Sequence, residues 1–166
     1  MILAIDIGNT NIVIGCCADG QVIFRERVST NPTATVLEYA AMLKMAFDMN
    51  RADITAVDGA ILSSVVPAVT LTMRDAVHKY LHLTPLVVGP GIKTGLRIHI
   101  DNPAQLGSDL VVDAVAGIHH YPLPQIIIDM GTATAVSVLD AEGGYRGGMI
   151  LPGCLLYTSD AADEAR

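Results

Sequence analysis

Two aspartates, Asp6 and Asp129, stand at the ends of apolar runs, and each is followed two positions later by a glycine. The stretches are AIDIGNTNIVI at residues 4–14 and IIDMGTATAVS at residues 127–137. Both read as strand, Asp, one apolar residue, Gly, small polar residues and a second strand. A single Asp-x-Gly turn is more often one in which the carboxylate accepts backbone hydrogen bonds. Two copies in equivalent strand contexts, far apart in the chain, point instead to a duplicated supersecondary unit. Such turns offer backbone N–H groups and hydroxyls with no bulky side chain in the way, which suits phosphate oxygens. The carboxylates beside them suit a cation that bridges those oxygens. A metal-bound polyphosphate between the two turns would explain acids placed at the ends of buried strands.

The elements that must position these turns are legible in order. Residues 2–7, 11–17 and 21–28 read as successive strands, with Asp19-Gly20 as a two-residue hairpin. Asn31-Pro32-Thr33 breaks the pattern, and Thr35 caps a helix through Asn50 whose apolar positions include Leu37, Ala41, Leu43, Ala46 and Phe47. Residues 57–63 read as a buried strand, and Pro67 opens a helix to about His82. Residues 86–88 form a short strand before GPGIKTG, and residues 96–100 are extended. A helix fits 104–120, with Leu110, Val111, Ala114, Val115 and Ile118 on one face. Pro122-Leu123-Pro124 reads as a domain boundary, followed by strand, turn, strand, and a further strand from Gly143-Gly144 through Leu151. Three strands and then strand–helix alternation predict an α/β fold.

Composition narrows the function classes. A chain of 166 residues is one large domain, or one domain with part of another. With 51% hydrophobic and 16% charged residues it is globular and not disordered. No apolar run approaches the roughly 20 residues a membrane helix needs, and no basic segment precedes the first apolar stretch as in a signal peptide. A net charge of −7 argues against a nucleic-acid partner. Three cysteines, with Cys16 and Cys17 adjacent on opposite faces of a strand, make no disulfide framework and suggest a reduced, cytoplasmic protein. GPGIKTG is a turn and not a nucleotide loop, because Ile92 precedes Lys93 and no helix follows. His119 and His120 are neighbours on a helix end and point in different directions, so they do not share a metal.

The paired hairpins resemble those of the actin-like ATPase and sugar-kinase superfold. More narrowly, the chain is similar to the type III pantothenate kinases over residues 1–153. The segments that carry this are MILAIDIGNTN, ILSSVVP at 61–67, VVGPGIKTG at 87–95, DNPAQLGSDLVVDAVAG at 101–117 and IIIDMGTATAVSV at 126–138. The resemblance implies a duplicated actin-like (ribonuclease H-like) α/β fold, with a first domain complete at 1–121 and a second only begun at 122–153. Residues 154–166, CLLYTSDAADEAR, resemble the translation of a sequencing-library transposase adapter and are expected to be a non-native tail. With its second domain only begun, the 166-residue chain is expected to be poorly soluble and inactive.

For the complete parent protein the resemblance implies ATP-dependent phosphorylation of the primary hydroxyl of pantothenate to 4'-phosphopantothenate, the first step toward coenzyme A. It also implies a homodimer that uses Mg2+ with ATP and a monovalent cation, K+ or NH4+, and that has no nucleic-acid or membrane partner. By motif, Asp6, Ile7, Gly8, Asn9, Thr10, Asn11, Ile12 and Val13 form the ATP phosphate turn, with Asp6 near magnesium. Thr132 is a nucleotide contact and Asp129 the potassium ligand. Gly107, Ser108, Asp109 and Leu110 match the substrate segment usually written G-A-D-R, with Asp109 as general base. A primary alcohol is a poor nucleophile until its proton has an acceptor, while phosphoryl transfer itself depends mainly on positioning and charge. Without the resemblance, Asp109 reads more readily as an acid favoured at a helix N-terminus than as a base. Two departures stand out: Leu110 replaces the common arginine, and Ile100 a common substrate-side tyrosine. They keep two alternatives open, another small-molecule kinase of the superfold or a non-catalytic nucleotide-binding relative with a regulatory role.

Overall fold

The computed structural model describes residues 1–153 of the 166; the adapter-like tail lies outside them. Contacts group the chain into two compact units, Met1–Gly89 and a second that begins at Pro90. The first unit is built on β1 (Ile2–Ile7), whose residues alternate between the core and the opposite face. Leu3, Ile5 and Ile7 are buried, and Asp6 is exposed. β2 (Asn11–Ala18) runs antiparallel to β1, and β3 (Gln21–Ser29) antiparallel to β2. Their connection, Asp19-Gly20, has φ values of 50° and 76°, the left-handed pair that a tight hairpin turn requires.

A bulge at Cys16/Cys17 shifts the β2–β3 register by one residue. It places Phe24 opposite Cys16 on the core face, while Ile23 is left exposed. α1 (Val36–Asn50) starts at a capping box. The Thr35 hydroxyl accepts from the Glu38 amide at 3.3 Å, and the Glu38 carboxylate accepts from the Thr35 amide at 2.7 Å. Those Thr35 donors hold the Glu38 carboxyl below the usual carboxylate range. α1 carries the chain over to β4 (Gly59–Ser64), which lies parallel to β1; α2 (Pro67–Leu81) and β5 (Leu86–Val87) follow. The sheet order is β3-β2-β1-β4-β5. Leu43 and Phe47 from α1, with Val69, Met73 and Val77 from α2, close over the core face. Phe47 meets Phe24 edge-on at 5.2 Å and Tyr80 at 6.0 Å. Each such side chain contributes about 1.5–3 kcal/mol on burial.

In the second unit, β6 (Arg97–Ile98) precedes α3 (Ser108–His120), β7 (Gln125–Met130), β8 (Ala133–Leu139) and β9 (Gly144–Pro152), and the sheet order is β6-β9-β8-β7. α3 begins at 108 and not 104, because Pro103–Gln105 forms a separate 3-10 turn and Gly107 is extended. α3 packs on β7 and β8, and β6 pairs with β9, so the compact units divide upstream of Pro122, where the sequence alone suggested a boundary. The β8–β9 turn is fastened by Asp140, whose carboxylate accepts from the Gly144 amide at 2.6 Å and from Arg146 at 2.5 Å. The amide above all keeps that carboxyl below its ordinary range.

The second core is small: Ala114, Leu139 and Tyr145 are its fully buried members. The opposite sheet face carries Ile126, Ile128 and Met130 at 66%, 60% and 82% exposure. Across the ladder, β8 and β9 add Val138, Met149 and Leu151 to it, all exposed. Among the described residues β7 is also a sheet edge. An open edge beside an apolar face favours association. The 166-residue chain is therefore expected to form concentration-dependent oligomers by light scattering, and Ile128→Lys with Met130→Lys to shift it toward monomer. A wild-type chain that stays monomeric at tens of micromolar (roughly, the range where exposed edges aggregate) would count against this.

Candidate active site

The first glycine turn joins β1 to β2. The Gly8 amide donates to the Asn11 carbonyl at 2.9 Å, and a Cβ at Gly8 would lie 3.1 Å from that oxygen, which favours a residue without a side chain. Asn9 and Thr10 project into solvent at the tip, and Asp6, opposite Val13 and Ser63, stands on the side of β1 away from the core. Ile7 and Ile12 are buried and anchor the two ends of the turn. β4 runs beside it, with Ser64 level with Ile7 and the Val65 amide donating to the Ile7 carbonyl at 3.0 Å.

Thr30, which follows β3, completes this turn. Its hydroxyl donates to the Gly8 carbonyl at 2.7 Å, and its amide donates to the Thr10 carbonyl at 2.9 Å. The motif reading did not include Thr30. It directly precedes the Asn31-Pro32-Thr33 breaker, and register counted back from the Asp19-Gly20 hairpin would place Ser29 there. Knowledge of the bulge was the missing signal.

The second turn, between β7 and β8, is one residue shorter. Ile7 pairs with Ile12 around the first turn, whereas Met130 pairs with Thr134 around the second. The Gly131 amide donates to the Ala133 carbonyl at 3.0 Å, and Thr132 is half-buried at the tip. Gly153, just past β9, lies against it. A Cβ there would fall inside van der Waals contact with the carbonyl oxygens of Gly131 and Thr132. Asp129, opposite Ala135, lies on the α3 side of β7 and opens onto a groove of about 740 Å³ that Asp113, His120 and Gln125 also line. The Gln125 Nε2 in this groove is buried with no hydrogen-bond acceptor among the described residues.

The Gly107–Leu110 segment forms the start of α3. Gly107 is the extended N-cap and Asp109 lies in the first turn, with its Oδ1 accepting from the Leu110 amide at 2.8 Å. A Cβ on Gly107 would collide with that oxygen, so the glycine lets the carboxylate fold back over the helix start. There the helix dipole favours negative charge. Leu110 is half-buried, and Ile100 packs against the small second core. The first unit thus holds Asp6 through Val13 on one hairpin; the second holds Asp109, Asp129, Thr132 and Ile100. GPGIKTG is an irregular stretch with left-handed Gly91 and Gly95 and no helix after it, and His119 and His120 are exposed in the last turn of α3.

A strand-strand-strand repeat, each copy turning on Asp-x-Gly, defines the class: this is the actin-like ATPase and sugar-kinase superfold. Solved structures that share the fold include the activator of the 2-hydroxyisocaproyl-CoA dehydratase from Clostridium difficile with bound ADPNP, at TM-score 0.55 and 15% identity over 93% of this chain and 46% of that one. A Ppx/GppA family member from Aquifex aeolicus matches at TM-score 0.53 and 15% identity, over 95% of this chain and 53% of that one. Within the superfold, the chain belongs to the type III pantothenate kinase family, whose profile matches residues 2–165. A type III pantothenate kinase from Exiguobacterium sp. (strain AT1b) is 46% identical over 94% of this chain and 61% of its own length. One from Halalkalibacterium halodurans is 42% identical over 95% of this chain and 62% of its own. The chain spans about three fifths of the length of these curated relatives.

The contact of Gly153 with the second turn is directly testable. Gly153→Ala is expected to cost about 1–3 kcal/mol, as overpacking against fixed backbone does, read as a lower urea midpoint by circular dichroism. Gly89→Ala, where a Cβ meets nothing within 4 Å, should stay within about 0.5 kcal/mol of wild type. Equal midpoints for the two variants would dissociate Gly153 from the turn.

Proposed function

We propose that the whole protein of which this sequence is part serves ATP-dependent phosphorylation of pantothenate to 4'-phosphopantothenate, the opening step of coenzyme A synthesis, as the family it belongs to does. The observation that carries the reading is the repeat: two Asp-x-Gly hairpins, each on its own sheet, in a chain that matches the family profile throughout. The Gly8–Asn11 turn offers backbone donors to ATP phosphates, with Asp6 beside it. The structural neighbour that holds ADPNP has the same fold.

Magnesium usually keeps several waters and reaches a protein through one or two carboxylates and the substrate's phosphates. Among the described residues no three His, Cys, Asp or Glu side chains cluster as a metal cage, and the exposed carboxylate of Asp6 fits that minimal demand. When bound, the ion offsets charge on the β- and γ-phosphate oxygens. Asp129, exposed and beside a glycine turn, is the residue that would hold a monovalent cation, K+ or NH4+.

In the reaction, the pantothenate hydroxyl oxygen bonds to the γ-phosphorus as the bond to the β,γ-bridging oxygen breaks. The hydroxyl proton passes to the Asp109 carboxylate, and ADP leaves. Asp109 is suited to accept it because the N-terminus of α3 and the bare Gly107 hold the carboxylate in place. We assign Gly107, Ser108 and Leu110, with Ile100 nearby in sequence, to the substrate side, and Thr132 to the nucleotide. A homodimer in a reduced cytoplasm completes the proposal. Cys16 and Cys17 are free thiols, and no described helix is long and apolar enough to cross a membrane.

Leu110 favours a second reading, a nucleotide-binding relative without turnover, since an apolar side chain cannot pair with the pantothenate carboxylate. The test uses residues 1–153 continued by the remaining segment of the Exiguobacterium relative. This chimera is expected to release ADP only when pantothenate is present, and Asp109→Asn to lower turnover by about 10²–10⁴ while leaving MgATP affinity within twofold (roughly, the loss of a general base). MgATP binding without pantothenate-dependent ADP release would support the second reading. Full turnover in Asp109→Asn would remove it as the base.

A further inference from the structure

We infer that Thr30 is a positioning residue for the nucleotide turn, a hook through which the core of the first unit sets the direction of the phosphate-binding amides. The inference rests on the reading of Gly8–Asn11 as that turn. In a trans peptide the carbonyl and the following N–H point to opposite sides of one rigid plane. A turn can therefore aim N–H groups at an anion only if the carbonyls of the same planes are held on the other side. Thr30 holds two of them. Its hydroxyl takes the Gly8 carbonyl at 2.7 Å, which sets the plane carrying the Asn9 amide. Its amide takes the Thr10 carbonyl at 2.9 Å, which sets the plane carrying the Asn11 amide. If these planes rotated freely, carbonyl oxygens would face the phosphates and repel them.

The hook is itself fastened. Tyr39 of α1, 3% exposed, donates its hydroxyl to the Asn31 carbonyl at 2.8 Å and accepts from the Asn31 amide at 3.3 Å. The Asn31 side chain accepts from the Thr33 amide at 3.0 Å and the Thr33 hydroxyl at 2.8 Å. A buried tyrosine thus holds Asn31 by two hydrogen bonds, and Thr30, the residue covalently next to it, holds the turn by two more. The second repeat supports the assignment by contrast. The residue just past its third strand is Gly153, which meets the carbonyls of Gly131 and Thr132 with bare backbone. The same place in the duplicate holds a hydroxyl in one copy and nothing in the other, so the hydroxyl is not a general need of the fold.

The test pairs Thr30→Val, which keeps the shape and loses the donor, with Thr30→Ser, which keeps the donor. In the 166-residue chain, amide exchange by NMR is expected to speed at least about tenfold at Gly8 in Thr30→Val, with Ile5 and Ile14 unchanged and Thr30→Ser close to wild type. In the full-length chimera, Thr30→Val is expected to raise KM for ATP about tenfold, with a smaller change in KM for pantothenate and recovery in Thr30→Ser. Unchanged exchange at Gly8 overturns the hook. Faster exchange with an unchanged KM for ATP overturns its role in positioning. A chimera that does not bind MgATP at all refutes the nucleotide reading and the positioning role with it, while the exchange measurement still decides whether Thr30 fastens the turn.

Discussion

The first unit depends on the alternation of one strand. β1 lies between an antiparallel and a parallel neighbour, and its period of two sends Leu3, Ile5 and Ile7 into the core and leaves Asp6 on the other side. A strand buried on one face can carry a carboxylate near its end without desolvating it. The turn that follows inherits a fixed starting point, because Ile7 and Ile12 are both fully buried and pin its two ends. Moving the pairing by one residue would bury Asp6 and expose the core residues, so register and chemistry are specified together.

The two repeats obey the same plan with different means. Each runs strand, Asp-x-Gly turn, strand, turn, strand, and each third strand returns to the foot of the first turn. In the first copy the turn encloses an extra residue and is tied by a threonine hydroxyl. In the second it is tighter, and a glycine backbone lies against it. A hydroxyl fixes the direction of a peptide plane, whereas close backbone contact fixes only its position.

The start of α3 applies the same economy to the proposed base. Gly107 is needed less for its own conformation, which is ordinary extended backbone, than for the space its missing side chain leaves to Asp109. The carboxylate then folds back over the first turn of the helix, where its Oδ1 accepts from the Leu110 amide. Leu110, the next residue, is half-buried, and Ile100 packs against the small second core.

Much of this was legible in the sequence because it is encoded between near neighbours. The alternation of β1, the Asp19-Gly20 turn, the Thr35–Glu38 capping box, Pro67 at the first turn of α2 and both Asp-x-Gly hairpins are each specified by residues within a few positions of one another. The start of α3 was less so, since Pro103 and Gly107 admit either a continuous helix or a 3-10 turn and a break. What only the tertiary structure decided was the register of β3. Regular pairing from the hairpin would turn Ile23 inward and leave Phe24 facing out; the bulge at Cys16/Cys17 reverses this, and Phe24 packs on Phe47 of α1, a partner that the local sequence does not contain. The same one-residue shift carries down the strand and delivers Thr30, and not Ser29, to the carbonyls of the first glycine turn.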